Sequence, residues 1–473
     1  AALAGDLDVD VAVIGAGITG AAAAYLLKQA GRTVALVEQN AIGYGATGYT
    51  TAKLTVGHSL IYRDLIDSFG AETARAYARS NQQALERIAA LVAEHAIDCD
   101  FERASNFVYT EVAEKVEAVE REAEAAREAG IAAELTTDTD LPYPVLAAVR
   151  VDDQAQFHPW KFVAELARVV DGDGSHVFEQ TRATSVESGD PCVVETGGGA
   201  VRARHVVVAT QLPFLDRGLF FAKAHPLQSH AVAAEVGEAP RGMYISVEEP
   251  TRSVRSAPGA DGGRILIVGG ASAYDELEGF MGERFDGAAA TYRWSTHDYM
   301  PADRLPYIGR LRRGDDRILT ATGYAKWGMT KGVLAAEILT DAILGRPNEW
   351  AELYDANRLD LRRSARKLAT ENGKVGLRFF GDRVRQRDGR EEIERLGPGE
   401  GTVARVGARH VAAHRDDEGT LHTLSARCTH LGCIVSWSSA DRAWECHCHG
   451  SRFAADGTVV QGPATADLPQ QSL

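Results

Sequence analysis

Apolar and polar positions along the chain change their spacing several times, and each change predicts an element. Val9 to Ile14 is a short apolar run that enters Gly15-Ala16-Gly17-Ile18-Thr19-Gly20, and an alanine-rich helical segment continues to about Ala30. Gly31-Arg32 turns the chain into a second apolar run, Thr33 to Val37, so the opening reads as strand, tight turn, helix, strand. From Glu72 to Ile97 apolar residues recur at helical spacing, among them Tyr77, Leu85, Ile88, Leu91 and Val92, which predicts a scaffold helix. Val112 to Ala129 alternates Glu with Lys and Arg and predicts a charged helix with a solvated face. Gln154 to Lys161 leads into another helix, with His158 at its entry. Val201 to Thr210 is a returning strand. After it, Ala231 to Val236, Gly242 to Val247 and Arg264 to Gly269 alternate with turn signals between them, the pattern of an antiparallel sheet. Ile318 to Thr322 then delivers a glycine-rich loop to a helix at Val333 to Leu344. Past Gly397-Pro398-Gly399-Glu400-Gly401 only short strands remain, Thr402 to Val406 and His410 to His414, with Asp416 to Gly419 as a hairpin turn. The pattern predicts an α/β region with an antiparallel sheet, followed by a small all-β unit.

Length and composition narrow the classes. A chain of 473 residues exceeds one ordinary core, which predicts two or three domains. With 45% hydrophobic and 25% charged residues it is globular in composition. A net charge of -15 disfavours nucleic acid and an anionic membrane, because both need clustered Lys and Arg. No stretch of 18 or more apolar residues appears, so no membrane span is expected. The first strand begins so early that no room is left for a signal peptide, although an initial Ala leaves a trimmed leader open. A cytoplasmic location is the expectation. Cys99 and Cys192 have no spacing pattern and read as small buried residues.

In the first turn each glycine has a role. Gly15 permits the turn, Gly17 lets backbone approach a pyrophosphate, and Gly20 lets helix and strand pack closely, while the helix N-terminus offers partial positive charge. Glu38 lies about twenty residues later, where an acid binds a ribose hydroxyl. A second glycine-rich loop, Gly43-Tyr44-Gly45-Ala46-Thr47-Gly48, precedes Tyr49-Thr50-Thr51-Ala52-Lys53-Leu54. With these segments the N-terminal part resembles the D-amino-acid oxidase and glycine oxidase superfamily of FAD enzymes. The resemblance implies FAD contacts from Gly15, Gly17, Ile18, Thr19, Gly20, Glu38, Gln39, Gly45, Ala46, Thr47, Thr50 and Thr51. Some members carry the flavin on a histidine in this segment; Thr50 stands there, so non-covalent FAD is expected. In the superfamily an acid-x-x-Pro-x-Ile-Gly segment, here Asp303 to Gly309, crosses beneath the flavin. The loop from Gly323 through Gly328, Met329 and Thr330 to Gly332 would set a helix N-terminus against the flavin N1 and C2 carbonyl, favouring negative charge there. Tyr324, Lys326, Trp327 and His297 are the catalytic candidates, with core packing as the competing reading for the aromatics.

Four of the six cysteines cluster near the end, in Cys428-Thr429-His430-Leu431-Gly432-Cys433 and Cys446-His447-Cys448-His449-Gly450-Ser451. Two thiolates and two imidazoles make a tetrahedral zinc set possible. The extra cysteine pair and the downstream Gly462-Pro463-Ala464 instead resemble the disulfide-containing Rieske iron-sulfur domain. That resemblance implies a [2Fe-2S] cluster with Cys428 and Cys446 on one iron and His430 and His449 on the other, a Cys433 to Cys448 disulfide, and a Ser451 hydroxyl bonded to the cluster. Phe453 stands where respiratory members have a tyrosine, which implies one hydrogen bond fewer and a lower potential.

The expected fold is therefore α/β, an FAD-binding Rossmann-like domain with an antiparallel substrate-binding sheet (α+β), plus a small all-β Rieske domain. The expected layout is an FAD oxidoreductase over 1–370, with nucleotide-binding parts near 1–85, 150–215 and 306–365 and substrate-binding parts near 86–149 and 216–305. A charged linker over 371–394 and a Rieske domain over 395–473 complete it. The whole chain resembles bacterial FAD oxidoreductases with a C-terminal Rieske domain. The resemblance implies oxidation of an amine or amino-acid-like substrate by hydride transfer to FAD, with electrons leaving singly through the cluster to an unknown one-electron acceptor or donor protein. Two other readings stand beside it: an electron-transfer component without its own organic substrate, and a non-catalytic redox sensor. No second GxGxxG unit points to NAD(P)H.

Overall fold

The computed structural model describes residues 1–271, 273–358 and 389–473. Its first sheet has the strand Leu7–Ile14 at the centre. Val34–Val37 and Gly199–Val208 flank it in parallel, His176–Phe178 lies beyond the former, and Ile318–Thr322 beyond the latter, with Tyr307–Arg310 antiparallel at the edge. Strands covered on both faces carry continuous apolar runs, as Val11 to Ile14 and Val34 to Val37 do. The alanine-rich helix Ile18–Gln29 packs between this sheet and the helix Gly328–Leu344, its alanines buried. Close crossing of these two helices requires Gly332, because a Cβ there would lie 2.6 Å from Cγ2 of Ile18. Both helix starts therefore meet on one side of the sheet.

The second sheet runs in the order Tyr292–Pro301, Ala224–Val236, Arg264–Gly270, Arg252–Pro258, Met243–Ser246, Glu102–Thr110, Ala147–Gln156 and Lys53–Leu54. It is antiparallel except where Met243–Ser246 pairs with Glu102–Thr110. Its strand Arg252–Pro258 lacks an alternating signature in the sequence and is recruited by pairing with Arg264–Gly270.

The charged helix spans Val116–Glu128, and its expected solvated face is partly wrong. Glu122 is buried and accepts the Tyr62 and Arg63 N–H groups at 2.7 and 3.0 Å, satisfying the start of the helix Ile61–Phe69. Burial pushes its carboxyl up to about 7, against those hydrogen bonds. Most of the expected linker, 371–388, lies outside the described residues; the helix Arg390–Glu394 covers its end.

The C-terminal unit consists of a three-stranded sheet, Gly401–Val406, Arg409–Arg415 and Leu421–Ser425, and a four-stranded sheet, Ser436–Ser438, Ala443–Glu445, Arg452–Ala454 and Val459–Gln461. The four cysteines of the two loops pack in a small core with Trp444, Phe453 and Leu468. No helix among the described residues is long and apolar enough to cross a membrane.

Candidate active site and metal centre

A cavity of about 1130 Å³ runs from the first glycine turn, between the two sheets, to the C-terminal unit. Its size suits a dinucleotide and a small ligand, since single-ligand pockets hold about 300–1,000 Å³. At one end Gly15 has φ +99°, and a Cβ there would lie 2.7 Å from the Ala209 carbonyl oxygen. A Cβ on Gly20 would lie 1.8 Å from the Gly15 carbonyl oxygen, so strand and helix meet only because both positions lack side chains. Thr47 accepts the Ile18 N–H at 3.0 Å and clasps the second glycine loop over the helix start.

Glu38 accepts the Ala16 and Asn40 N–H groups, both at 2.9 Å. Burial raises its carboxyl above the usual range, while those N–H groups pull it down. A carboxylate has about four lone-pair sites, so acceptor capacity remains for a ribose. Gly17, Ile18, Thr19, Gln39, Gly45, Ala46, Thr50 and Thr51 also line the cavity. The residues fit FAD: a glycine turn on the cavity wall, a helix start whose N-cap Gly17 offers no side chain, and a long groove.

At the other end, Tyr324, Lys326, Trp327, Gly328, Met329 and His297 line the cavity. Three residues assigned to the cofactor by sequence are off its wall. Gly20 faces Gly15, Gly323 turns at φ +78° against Pro301, and the Thr330 hydroxyl donates to Asn81 Oδ1 at 3.1 Å. None of Leu305 to Gly309 reaches the wall either, because that strand lies at the outer edge of the first sheet. The Tyr324 hydroxyl lies 2.7 Å from Thr19 Oγ1, joining the two helix starts. Ala325 and Lys326 are left-handed, with φ +54° and +70°, and Asp298 fixes the bend by accepting the N–H of Lys326 and, at 2.7 Å, of Tyr299. Burial drives the His297 imidazole down to about 3, so it is neutral.

Sequence reading missed a group beside these. His58 stacks on Trp327 with ring centroids 4.5 Å apart, its Nδ1 is 2.6 Å from the Tyr77 hydroxyl, and its buried Nε2 has no partner. Lys331 donates to the Tyr324 carbonyl at 2.9 Å, and burial lowers its ammonium to about 7, opposed by Asp298. Burial foremost, then Lys331, holds His58 well below the ordinary histidine value. The available signal was a lysine within the apolar Gly328–Leu344 helix.

The two C-terminal loops are built alike. In the first, Gly432 N–H donates to the Cys428 carbonyl at 2.9 Å and Cys428 N–H to the Cys433 carbonyl at 2.8 Å. In the second, Gly450 N–H donates to the Cys446 carbonyl at 2.8 Å and Cys446 N–H to the Ser451 carbonyl at 2.8 Å. Cys433 and Cys448 form a disulfide that joins the loops. Cys428 and Cys446 are free and buried, and the His430 and His449 rings lie 5.0 Å apart. Both histidine Nδ1 atoms are buried without a hydrogen-bond partner. Orphaned ring nitrogens aimed inward beside two free thiols fit a cluster held by two sulfurs and two imidazoles. Burial keeps both imidazoles towards the neutral form that ligates, His449 down to about 4. Hydrogen bonds, from Cys446 foremost and also from Ser451, draw the Cys428 thiol below its ordinary value. Ser451 Oγ accepts the Ala464 N–H at 3.0 Å, which leaves its own proton free to point at sulfur.

The C-terminal unit closes the cavity. Asp441, Arg452 and the segment from Val460 to Thr465 line it, and Gln39, beside Glu38, donates to the Val460 carbonyl at 3.3 Å. The histidine edge faces the rest of the chain: His430 Nε2 is 3.1 Å from Asp216 Oδ1, and the Phe221 ring centroid is 5.4 Å from that of His449.

The profile of the FAD dependent oxidoreductase family matches residues 10–342, and that of the Rieske [2Fe-2S] domain residues 390–472. The chain is 34% identical over 486 residues to a protein of Bacillus subtilis (strain 168) named as a Rieske 2Fe-2S iron-sulfur protein, YhfW, covering 100% of this chain and 95% of that one. It is 24% identical over 370 residues to gamma-glutamylputrescine oxidoreductase of Escherichia coli (strain K12), covering 73% of this chain and 85% of that one. Glycine oxidase from Geobacillus kaustophilus superposes with a TM-score of 0.64 at 18% identity, over 75% of this chain and 99% of that one. L-amino acid deaminase from Proteus vulgaris does so with a TM-score of 0.62 at 15% identity, over 76% and 99%. The two structural likenesses establish a shared fold.

Proposed function

Because the chain belongs to the FAD dependent oxidoreductase family and carries a Rieske [2Fe-2S] domain, we propose that it oxidises an amine or amino-acid-like small molecule at the carbon next to nitrogen, passing the electrons singly through the cluster to an external acceptor. The observation that carries the reading is the shared cavity: one wall is the dinucleotide turn, another the second sheet, and the third belongs to the Rieske domain. The amine class is supported by the family and by the named substrate of the Escherichia coli relative. FAD accepts a hydride and the cluster carries one electron at a time, which is the chemistry the two groups supply.

The chain's own residues bind and position. The first glycine turn and Glu38 hold the nucleotide end, with Thr47 and Gln39 beside them. Gly328 and Met329 open a helix whose N-terminus favours negative charge at the ring end. Neutral His297 and the Lys326 and Trp327 loop face the space left for substrate, so orientation rather than a strong base lowers the barrier. Cys428, Cys446, His430 and His449 would hold the cluster, with the Ser451 hydroxyl available to bond it.

Anaerobic mixing of the oxidised holoprotein with a panel of amines and amino acids, while flavin absorbance is followed, tests the reading. Bleaching by an amine is the expected result. Bleaching by NADH alone, with every amine inert, overturns it in favour of an electron-transfer component.

A further inference from the structure

We propose that Tyr299 is the bridge by which electrons cross from the flavin site to the cluster, admitted by the bare backbone of Gly450. The proposal rests on the proposed function, in which electrons leave through the Rieske domain. Asp298 and Met300 line the cavity, whereas Tyr299, between them on the same strand, projects to the opposite side and is buried. Two bonds tie it to the cluster side and the cavity side. Its carbonyl accepts the N–H of cavity-lining Ala325 at 3.1 Å, and its hydroxyl donates to the His449 carbonyl at 2.8 Å. The connected path therefore runs from the loop at the flavin ring, through one side chain, into a cluster ligand.

The close approach is built into the second ligand loop. Gly450 has φ +77°, and a Cβ there would lie 2.7 Å from the Tyr299 hydroxyl oxygen and 3.0 Å from Pro226 Cβ. Any other residue would push the domains apart at this point. The competing contacts lead elsewhere. Phe221 and Asp216 also touch the histidine edge, but neither lines the cavity, and cavity-lining Ala464 bonds Ser451, which is not among the four cluster ligands.

The balance is simple. Substrate loses a hydride and a proton; the two electrons reach FAD together. One electron passes to the oxidised cluster, and the second crosses after a one-electron acceptor has reoxidised the cluster, so each substrate reduces two acceptors. No bond to Tyr299 forms or breaks, and its proton stays on oxygen.

The test uses the full-length holoprotein reduced with dithionite and mixed anaerobically with ferricyanide, with flavin and cluster absorbance followed separately. Cluster content is checked by its electron-spin signal and cluster potential by titration. Tyr299→Leu is expected to slow the flavin reoxidation phase by at least about tenfold, ~1.4 kcal/mol on the barrier, at unchanged cluster potential, with Tyr299→Phe between the two. Should Tyr299→Leu lose its cluster, Gly450→Ala and Tyr299→Phe decide, each slowing the same phase in protein that keeps the signal. An unchanged flavin phase in signal-bearing variants, or a loss confined to Phe221→Leu, overturns the bridge. If cluster-free His449→Ser reoxidises its flavin as fast as the unaltered protein, it is the reading of the cluster as outlet that fails.

Discussion

Asp441 fastens the Rieske domain to the flavoprotein part, and its removal gives a measurable undocking. Its side chain is only 9% exposed and accepts three hydrogen bonds from the other part of the chain, from Ser295 Oγ at 2.8 Å, Tyr274 Oη at 3.0 Å and Gln228 Nε2 at 3.1 Å. Within its own domain Arg452 lies 3.3 Å away. Hydrogen bonds to a charged group contribute about 1.5–3 kcal/mol each. Gln228 keeps a second acceptor, Glu445 at 3.0 Å, so two bonds are lost without replacement, about 3–6 kcal/mol. Removing a buried carboxylate also removes the cost of dehydrating it, and Arg452 retains Glu445 at 3.3 Å. A net weakening of about 2–3 kcal/mol remains, or roughly 30- to 150-fold in the docking equilibrium. Asp441→Ala should therefore raise amide exchange at Gly450 and along Val460 to Thr465 and expose the interface to protease. The spin signal of the cluster should persist, because no ligand is touched. Asp441→Asn should fall between, retaining one acceptor oxygen. Exchange at these amides unchanged within about twofold would refute the energetic reasoning.

The same geometry predicts three further outcomes. His449→Ser should abolish the Rieske electron-spin signal while leaving the flavin spectrum, and a surviving signal would contradict the ligand assignment. The cluster should titrate below respiratory Rieske proteins, and Phe453→Tyr, at a buried position in the cluster's own core, should raise its potential by restoring a hydrogen bond to sulfur; an unchanged or lowered value would count against the assignment. Lys331, with its ammonium lowered to about 7 by burial, is charged beside the cavity only below that pH, so the flavin potential should fall additionally as pH rises through about 7, and Lys331→Met should remove that step. The same depressed value leaves the folded protein proton-poor relative to the unfolded chain between about 7 and the ordinary lysine value near 10.4, so Lys331 makes stability rise with pH across that window, and loss of this slope in Lys331→Met, read by thermal unfolding, checks it.

Parts of the chain whose constraints are local could be read from residue order alone. Gly15 and Gly20 are required by a turn that closes within six residues, and the alternation from apolar run to alanine-rich helix comes from burial on both faces. The two Cys-His loops are equally local, each closed by its own glycine and backbone hydrogen bonds, so their spacing alone announced paired ligand loops. Whatever depends on partners far along the chain emerged only once the chain was folded. His58 meets Trp327, Glu122 meets the start of the Ile61–Phe69 helix, Thr330 turns to Asn81, and Tyr299 meets His449, pairs that no periodicity encodes. A charge-rich helix hid a buried carboxylate because alternation reports the average face and not which acid has unpaired N–H groups waiting for it. The docking of the Rieske domain over the cavity is the largest such fact. It rests on Asp441, Gln39 and Gly450, each an ordinary surface residue until the two parts of the chain are brought together and their polar groups must find acceptors across the seam.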